Sequence, residues 1–279
     1  MDTTDRKKLN SIKIVILTIL SILFLAPIFL ILINSFKGKL YISNDLFSFP
    51  NAITFAGLEN YFRGIKTVKY WHAFGYSLFI SVFSVGVIVL FTSMTAWYIA
   101  RIKSKFTNIL YYLFIFSMIV PFQMVMYTTT WTANQLMLDN PIGIILIYLG
   151  FGSGLSIFIF TGFVKTVPKE IEEAAIIDGC GPLRTFFLIV LPILKPTAIT
   201  VAILNAMWIW NDYLLPYLLL GTEYKTIPIA IQYLQGSYGN TDMGALMALL
   251  VLSIIPVIIF YLSLQKHIIK SVAAGSIKG

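Results

Sequence analysis

The chain has 279 residues, of which 58% are apolar and only 11% are charged. A mean hydropathy of +0.86 excludes an ordinary soluble domain, which must cover its core with a polar surface. The net charge of +8 comes mostly from Lys and Arg beside apolar runs, a pattern typical of membrane proteins, so we predict no nucleic-acid partner.

Apolar runs long enough to cross a membrane occur six times along the chain. A helix needs about 20 residues to span a hydrocarbon core of about 30 Å. The runs are continuous rather than alternating, which favours helices over a β-barrel. We therefore predict an all-α protein in a lipid bilayer, with six transmembrane helices over residues 14–33, 76–100, 107–127, 141–164, 197–220 and 245–264.

The orientation follows from the loops that carry Lys and Arg, because short basic loops stay in the cytoplasm. The loop after the third run has neither residue, and the loop after the fifth has only Lys225. Basic residues instead follow the second run, the fourth run and the last run: Arg101, Lys103, Lys105, Lys165, Lys169, Arg184, Lys266, Lys270 and Lys278. Both termini are therefore predicted to be cytoplasmic.

This orientation divides the chain into a transmembrane domain, 14–264, between cytoplasmic segments 1–13 and 265–279. The domain includes an extracellular segment, 35–75, and a cytoplasmic loop, 165–185. The extracellular segment opposes the charge rule, but long segments are weaker topology signals than short loops. Its basic residues are Lys37, Lys39, Arg63, Lys66 and Lys69.

Several kinds of chemistry are excluded by the residues present. Cys180 is the only cysteine, so one chain can form neither an internal disulfide nor a cysteine metal cluster. The dipeptide Gly38-Lys39 is not followed by Ser or Thr, so it is not a Walker A loop. We predict no catalytic residues and no metal site. Three glycines in the fourth run are predicted to allow close helix packing: Gly150, Gly152 and Gly154.

A short helix is predicted in the loop 165–185, where residues 172–181 read EEAAIIDGCG. Pro168 suits a first turn, acids follow it, and Gly179 with Gly181-Pro182 ends the helix. Such a helix is too short to cross the bilayer and marginal alone in water, so we expect something to hold it. One face is small and mostly apolar: Ile171, Ala174, Ala175 and Asp178.

Asp212 is the ionisable residue within an apolar run, where a charge is costly and calls for a functional explanation. Asn205, Trp208 and Asp212 lie on one helix face, with Asn211 beside them. An aromatic ring, amides and a carboxylate suit a sugar, which has apolar CH faces and hydroxyls. A position at the outer interface explains Trp208 and Asp212 equally well, so both interpretations stay open.

Prolines mark two further places. Gln123 and Tyr127 lie one turn apart just after Pro121 in the third run. They are candidates for the same pathway, and helix packing or interhelical hydrogen bonding is the alternative. Pro192 and Pro196 predict a helix interruption at the start of the fifth run.

The residues of the loop and beyond it follow a known pattern. Glu173-Ala174-Ala175, then Gly179, then Ile189, Leu191 and Pro192 resemble the EAA loop of permease subunits in binding-protein-dependent ABC importers. The segments WNDYLLPYLLL, 210–220, and QKHIIKSVAAGSIKG, 265–279, are similar to the carbohydrate-uptake branch, specifically its maltose-type second permease. The resemblance covers nearly the whole chain, although Tyr76 stands where that branch often has Asn.

The resemblance implies that the short helix is a coupling helix, which lies in a groove of a cytoplasmic ATPase and transmits its ATP-driven closure. Glu173 would offer an acid to the ATPase, Ala174 and Ala175 would pack into its groove, and Gly179 would reverse the chain. The implied ATPase-coupling residues are therefore Glu173, Ala174, Ala175, Asp178 and Gly179. The implied partners are a second homologous permease, a dimer of ATPase subunits that binds ATP and Mg²⁺, and an extracellular solute-binding protein. No cofactor is expected on this chain, and its implied place is the bacterial cytoplasmic membrane.

We therefore predict a transport subunit, not an enzyme, that forms half of a pathway for a di- or oligosaccharide. Glycerol phosphate or another polyol derivative is the alternative substrate. An ion-coupled secondary transporter would need intramembrane carboxylates or inverted repeats, of which the sequence offers little apart from Asp212. An integral membrane enzyme would need a catalytic cluster of His, Asp or Glu, which the sequence lacks.

Overall fold

The described chain is built from α-helices, which confirms the predicted all-α class. The computed structural model describes residues 3–234 and 241–276, with side chains over 10–234 and 241–266. In chain order its helices are α1 (Thr3–Asn34), α2 (Lys39–Asn44), α3 (Glu59–Val68), α4 (Tyr70–Arg101), α5 (Lys105–Ile119), α6 (Phe122–Gln135), α7 (Gly143–Val164), α8 (Glu170–Ile177), α9 (Pro182–Thr185), a π-helical turn (Phe186–Val190), α10 (Leu191–Ile193), α11 (Lys195–Asn211), α12 (Leu214–Leu220), α13 (Ile227–Gln232) and α14 (Met243–Ser276).

The number of membrane spans depends on two sharp bends. In the described ranges, four helical segments are long and apolar enough to cross a membrane: Asn10–Asn34, Tyr70–Arg101, Gly143–Val164 and Met243–Lys266. Two bent pairs, α5 with α6 and α9–α10 with α11, pass the same test only together. Counting each pair as one span gives the predicted six.

The predicted terminal segments continue the first and last helices. Helix α1 already begins at Thr3, and α14 extends to Ser276. Residues 1–2 and 277–279 lie outside the described part of the chain, as do the side chains of 267–276. The predicted boundaries at residues 13 and 264 therefore do not coincide with helix ends.

The third run is not the continuous helix predicted over 107–127. Helices α5 and α6 meet at an angle of 106° across Val120 and Pro121. Val120 has an extended backbone with ψ of 114°, because the proline ring disfavours helical geometry in the residue before it. Pro121 therefore breaks the third run into two helices.

The fifth run also differs from the prediction of one helix over 197–220. The helical segment that leads into this run bends by 77° near Leu194, which confirms the interruption predicted from Pro192 and Pro196; the helix after the bend starts at Lys195. It then ends at Asn211, because Asp212 is extended with ψ of 124° and its Oδ1 accepts a hydrogen bond from the Leu214 N–H at 3.1 Å. This local turn competes with continued helix.

The chain separates into two compact units, residues 1–70 with 230–256 and residues 71–229 with 257–279. The first unit is organised by Asn60, which is fully buried. Its Nδ2 donates to the carbonyls of Ser35 and Lys37, both at 2.8 Å, and its Oδ1 accepts from Arg63 Nη2 at 2.8 Å. The end of α1 is thereby tied to α3.

An ion pair ties α3 to the start of α14 in the same unit. Arg63 Nε lies 2.6 Å from Asp242 Oδ2, and Asp242 Oδ1 accepts from the Ala245 N–H at 3.1 Å. Burial by itself would raise the pKa of Asp242, but the hydrogen bonds from Arg63 and Ala245 leave it below its ordinary value. Lys37 is also internal, since its buried Nζ donates to the Asp45 carbonyl at 2.8 Å.

The second unit packs α4, α7 and α11 around buried apolar residues that include Ile88, Phe160 and Val201. Two of the three glycines in α7 lie at close approaches. A Cβ on Gly152 would lie 2.7 Å from Ile88 Cδ1, and one on Gly154 would lie 2.7 Å from the Phe114 carbonyl oxygen of α5. Gly150 has no heavy atom within 4 Å of that position, so the packing prediction holds for Gly152 and Gly154 only.

We expect Gly154→Val to destabilise the second unit by about 1–3 kcal/mol, because the new side chain overlaps the backbone of α5. Thermal unfolding of the purified protein in detergent measures the loss. Gly150→Val is the matched control on the same helix and should leave the Tm nearly unchanged. Equal Tm values for the two variants would contradict the close packing of α5 on α7.

Candidate functional site

The predicted loop helix is present as α8, which spans eight residues, Glu170–Ile177. Its N-cap is Lys169, so Pro168 lies just before the helix rather than in its first turn. Acidic residues occupy the first turn, where they face the positive end of the helix dipole. The length of about 12 Å, at 1.5 Å per residue, cannot cross a bilayer.

Gly179 ends α8 in a left-handed conformation with φ of +82°. The Cys180 N–H donates to the Ala175 carbonyl at 2.9 Å, and the Gly179 N–H donates to that of Ile176 at 3.0 Å. This pair of bonds is the Schellman motif, which favours glycine at the left-handed position. Gly179 therefore turns the chain as the sequence predicted.

The two faces of α8 have different surroundings. Glu172 is 7% exposed and Ala175 is 4% exposed, and these positions one turn apart form the inner face. Glu173, Ala174 and Asp178 are exposed. Ala175 was predicted to face a partner together with Ala174. It instead faces the chain itself, where it is buried.

Glu172 is held by two residues from the last turn of α4. Arg101 donates from Nε and Nη2 to Glu172 Oε1 at 2.8 and 2.6 Å, and Trp97 Nε1 donates to Oε2 at 2.9 Å. Both carboxylate oxygens are thus satisfied, as a buried charge requires. No local sequence pattern predicts this cluster, because 71 positions separate Arg101 from Glu172.

The same two α4 residues also reach the segments before and after α8. Arg101 Nη2 donates to the Val167 carbonyl at 3.0 Å. The Trp97 ring packs on buried Phe186, with ring centroids 5.7 Å apart. Phe186 begins the π-helical turn ahead of Pro192, whose nitrogen carries no hydrogen to continue regular helix bonding.

Asp212 and Trp208 both contact Tyr148, which was not among the predicted pathway residues. Tyr148, fully buried in α7, donates its hydroxyl to Asp212 Oδ2 at 2.9 Å. Its ring meets the Trp208 ring edge to face at 5.4 Å, and Trp208 remains 40% exposed. The carboxylate of Asp212 is therefore engaged within the protein, while one side of Trp208 stays open.

The other predicted pathway residues do not join this cluster. Asn205 is buried and donates from Nδ2 to Ser156 Oγ at 3.1 Å, which joins α11 to α7. Asn211 is exposed and donates from Nδ2 to the Met207 carbonyl at 2.7 Å. Gln123 and Tyr127 are exposed on α6. Contact of these residues with a substrate stays a prediction.

We expect Tyr148→Phe to destabilise the protein by about 1–3 kcal/mol, because the partly buried carboxylate of Asp212 loses its hydroxyl donor. Thermal unfolding in detergent measures the change. Tyr127→Phe removes a hydroxyl from a side chain that is 74% exposed and should leave the Tm unchanged. If both variants unfold at the wild-type temperature, the Tyr148–Asp212 bond contributes no stability.

Comparisons with known proteins support the permease resemblance. The sequence pattern of the family described as "Binding-protein-dependent transport system inner membrane component" matches residues 89–274. The chain is 39% identical to the "Probable starch degradation products transport system permease protein AmyC" of Thermoanaerobacterium thermosulfurigenes, over 93% of this chain and 94% of that protein. It is also 39% identical to the "Multiple sugar-binding transport system permease protein MsmG" of Streptococcus mutans, over 95% and 96% of the two chains.

The fold has a counterpart among solved structures. A chain from the "Crystal structure of a bacterial ABC transporter involved in the import of the acidic polysaccharide alginate" superposes with a TM-score of 0.79. The match covers 95% of this chain and 98% of that one, at 22% identity. The chain thus belongs to the family of binding-protein-dependent transport system inner membrane components, and it is a multi-pass membrane transport subunit rather than an enzyme.

Proposed function

We propose that this chain forms half of the pathway of an ATP-driven sugar importer and that α8 is its contact with the ATPase. The single observation that carries the coupling role is the two-faced environment of α8. Its inner face is fixed by the buried Glu172 carboxylate, while Glu173 and Ala174 face outward on the opposite side. An isolated helix of eight residues is marginal in water, so the inner contacts hold it ready for a partner.

The apolar surface around α8 supports this proposal. Ile177 is 85% exposed, and Ile176 and Leu183 are also exposed at the same end of the loop. Removing apolar surface from water is favourable by about 25 cal/mol for each Å² that becomes buried. Clustered exposure of this kind marks interaction sites on protein surfaces. A groove on an ATPase that covers these residues would remove them from water.

The remaining parts of the importer follow from the family. A second homologous permease completes the pathway, and an extracellular solute-binding protein delivers the solute. ATP and Mg²⁺ bind the dimer of ATPase subunits rather than this chain. The distribution of Lys and Arg among the loops supports a cytoplasmic position for α8 and for both termini in the bacterial membrane.

The proposed substrate is a di- or oligosaccharide. This rests on relatives whose names refer to starch degradation products and to multiple sugars, each 39% identical to this chain. Trp208 offers an exposed ring for the CH face of a sugar, and Asp212 holds the Tyr148 hydroxyl behind it. Gln123, Tyr127 and Asn211 add exposed polar groups that suit hydroxyls.

We expect Gly179→Pro and Glu173→Lys to uncouple ATP hydrolysis from uptake. Proline fixes φ near −65°, which is incompatible with φ of +82° at Gly179, and the lysine reverses an exposed charge on α8. In cells that express the whole importer, uptake of labelled sugar should fall to about a tenth or less, while both variants still insert in the membrane.

The controls for these variants are available in the same chain. Gly181 has φ of −72°, which proline adopts without strain, so Gly181→Pro should retain uptake. Glu223→Lys reverses an exposed charge in the loop between α12 and α13 and should also be active. Wild-type uptake by both Gly179→Pro and Glu173→Lys would rule out docking through α8.

A panel of labelled solutes separates the candidate substrates. The assay uses proteoliposomes that contain the assembled importer, with ATP on the side of the membrane that carries the ATPase subunits. We expect a trisaccharide to accumulate on that side and glycerol phosphate not to accumulate. Accumulation should need ATP hydrolysis and persist without an ion gradient, because an ion-coupled transporter would show the reverse dependence. If glycerol phosphate accumulates and the trisaccharide does not, the substrate is a polyol derivative rather than a sugar.

A further inference from the structure

The last turn of α4 contacts the segment that contains α8 at three separate points. Trp97 and Arg101 are one helical turn apart and lie on the same side of α4. Together, as the α4 clamp, they contact Val167 before α8, Glu172 within it and Phe186 after it. These contacts bracket the proposed docking helix on both sides.

The geometry of the clamp fixes orientation as well as distance. Arg101 approaches one carboxylate oxygen of Glu172 with two nitrogens, and the Trp97 indole takes the other. The Arg101 and Glu172 side chains are only 14% and 10% exposed, so water cannot readily replace either partner. Removing one partner of such a pair leaves an uncompensated buried charge, which makes the contact hard to open.

The contact with α4 links α8 to an unbroken helix, whereas the chain on either side of α8 does not continue as regular helix. Helix α4 runs without a break for 32 residues, about 48 Å at 1.5 Å per residue. The route that follows α8 along the chain passes through a π-helical turn and then a 77° bend. The route that precedes α8 crosses a non-helical stretch between Val164 and Glu170.

We propose that the α4 clamp is the joint that makes α4 move as one body with α8, so that closure of the ATPase is delivered along α4 toward its other end. This rests on the proposed docking of α8. Trp97, Arg101 and Glu172 are then positioning residues for coupling, acting through α8 rather than on the solute. A purely structural role would instead leave the number of solute molecules moved per ATP unchanged.

The test compares Glu172→Gln and Arg101→Lys in the complete importer in proteoliposomes. Glutamine removes the charge of Glu172, and lysine keeps the charge of Arg101 but lacks its fork of donors. We expect the ATPase subunits to stay bound and hydrolyse ATP, while solute moved per ATP falls about tenfold. Lys103→Gln and Glu223→Gln, at exposed positions, are matched controls with a wild-type ratio.

Two further measurements keep the outcome clear. Trp97→Phe keeps the ring against Phe186 and the ion pair but removes one hydrogen bond, so it should insert well and lower the ratio by about twofold to threefold. If the groups act as one joint, the double variant Arg101→Lys/Glu172→Gln should lose no more than the worse single variant.

The inference is overturned if the single variants transport with the wild-type ratio, or if their losses multiply in the double variant. Failure of the proposed function looks different, since the wild-type importer itself would then lack a bound ATPase or transport without ATP. If a variant loses both the bound ATPase and transport, the α4 clamp is needed for docking of the ATPase. This result would also contradict a role of the clamp in transmitting closure.

Discussion

A single buried carboxylate sets the arrangement of the segment around α8. The Glu172 side chain is buried, and both of its carboxylate oxygens accept hydrogen bonds from donors on α4. A buried charge without partners costs several kcal/mol, so α8 is restricted to the orientation that presents Glu172 to Arg101 and Trp97. That restriction decides which residues face outward: Glu173 and Ala174 lie opposite, and Ile177 projects from the end.

The C-terminal end and the inner face of α8 are constrained by different means, and together these constraints hold a short helix in a fixed position. At its end, Gly179 takes a left-handed conformation and closes the last carbonyls by backbone bonds. On its inner face, side chains far away in sequence hold it. The outer surface, with the charged Glu173 and the apolar Ile176 and Ile177, is then left open, as expected of a surface that contacts a partner.

Local signals allowed much of the fold to be predicted. Length and hydropathy located the spans, and the acids and Gly179 located α8 to within a few residues. The errors arose where side chains override periodicity: Pro121 turns the third run by 106°, and Asp212 caps its own turn, which ends α11 early. The partners of Glu172 and Asp212 could not be predicted, because Arg101 and Tyr148 are 71 and 64 positions away, and nothing in a single sequence joins such pairs.

Docking of α8 on an ATPase is tested most directly by photo-crosslinking from Ile177, which is 85% exposed. A photoreactive amino acid at this position, in the purified and transporting complex, should form a covalent adduct with the ATPase subunit, and the yield should change when ATP closes the ATPase. The same probe at Leu204, which is exposed on α11, should not. If Ile177 yields no ATPase adduct in a complex that transports solute, α8 is not the site through which ATP hydrolysis is coupled.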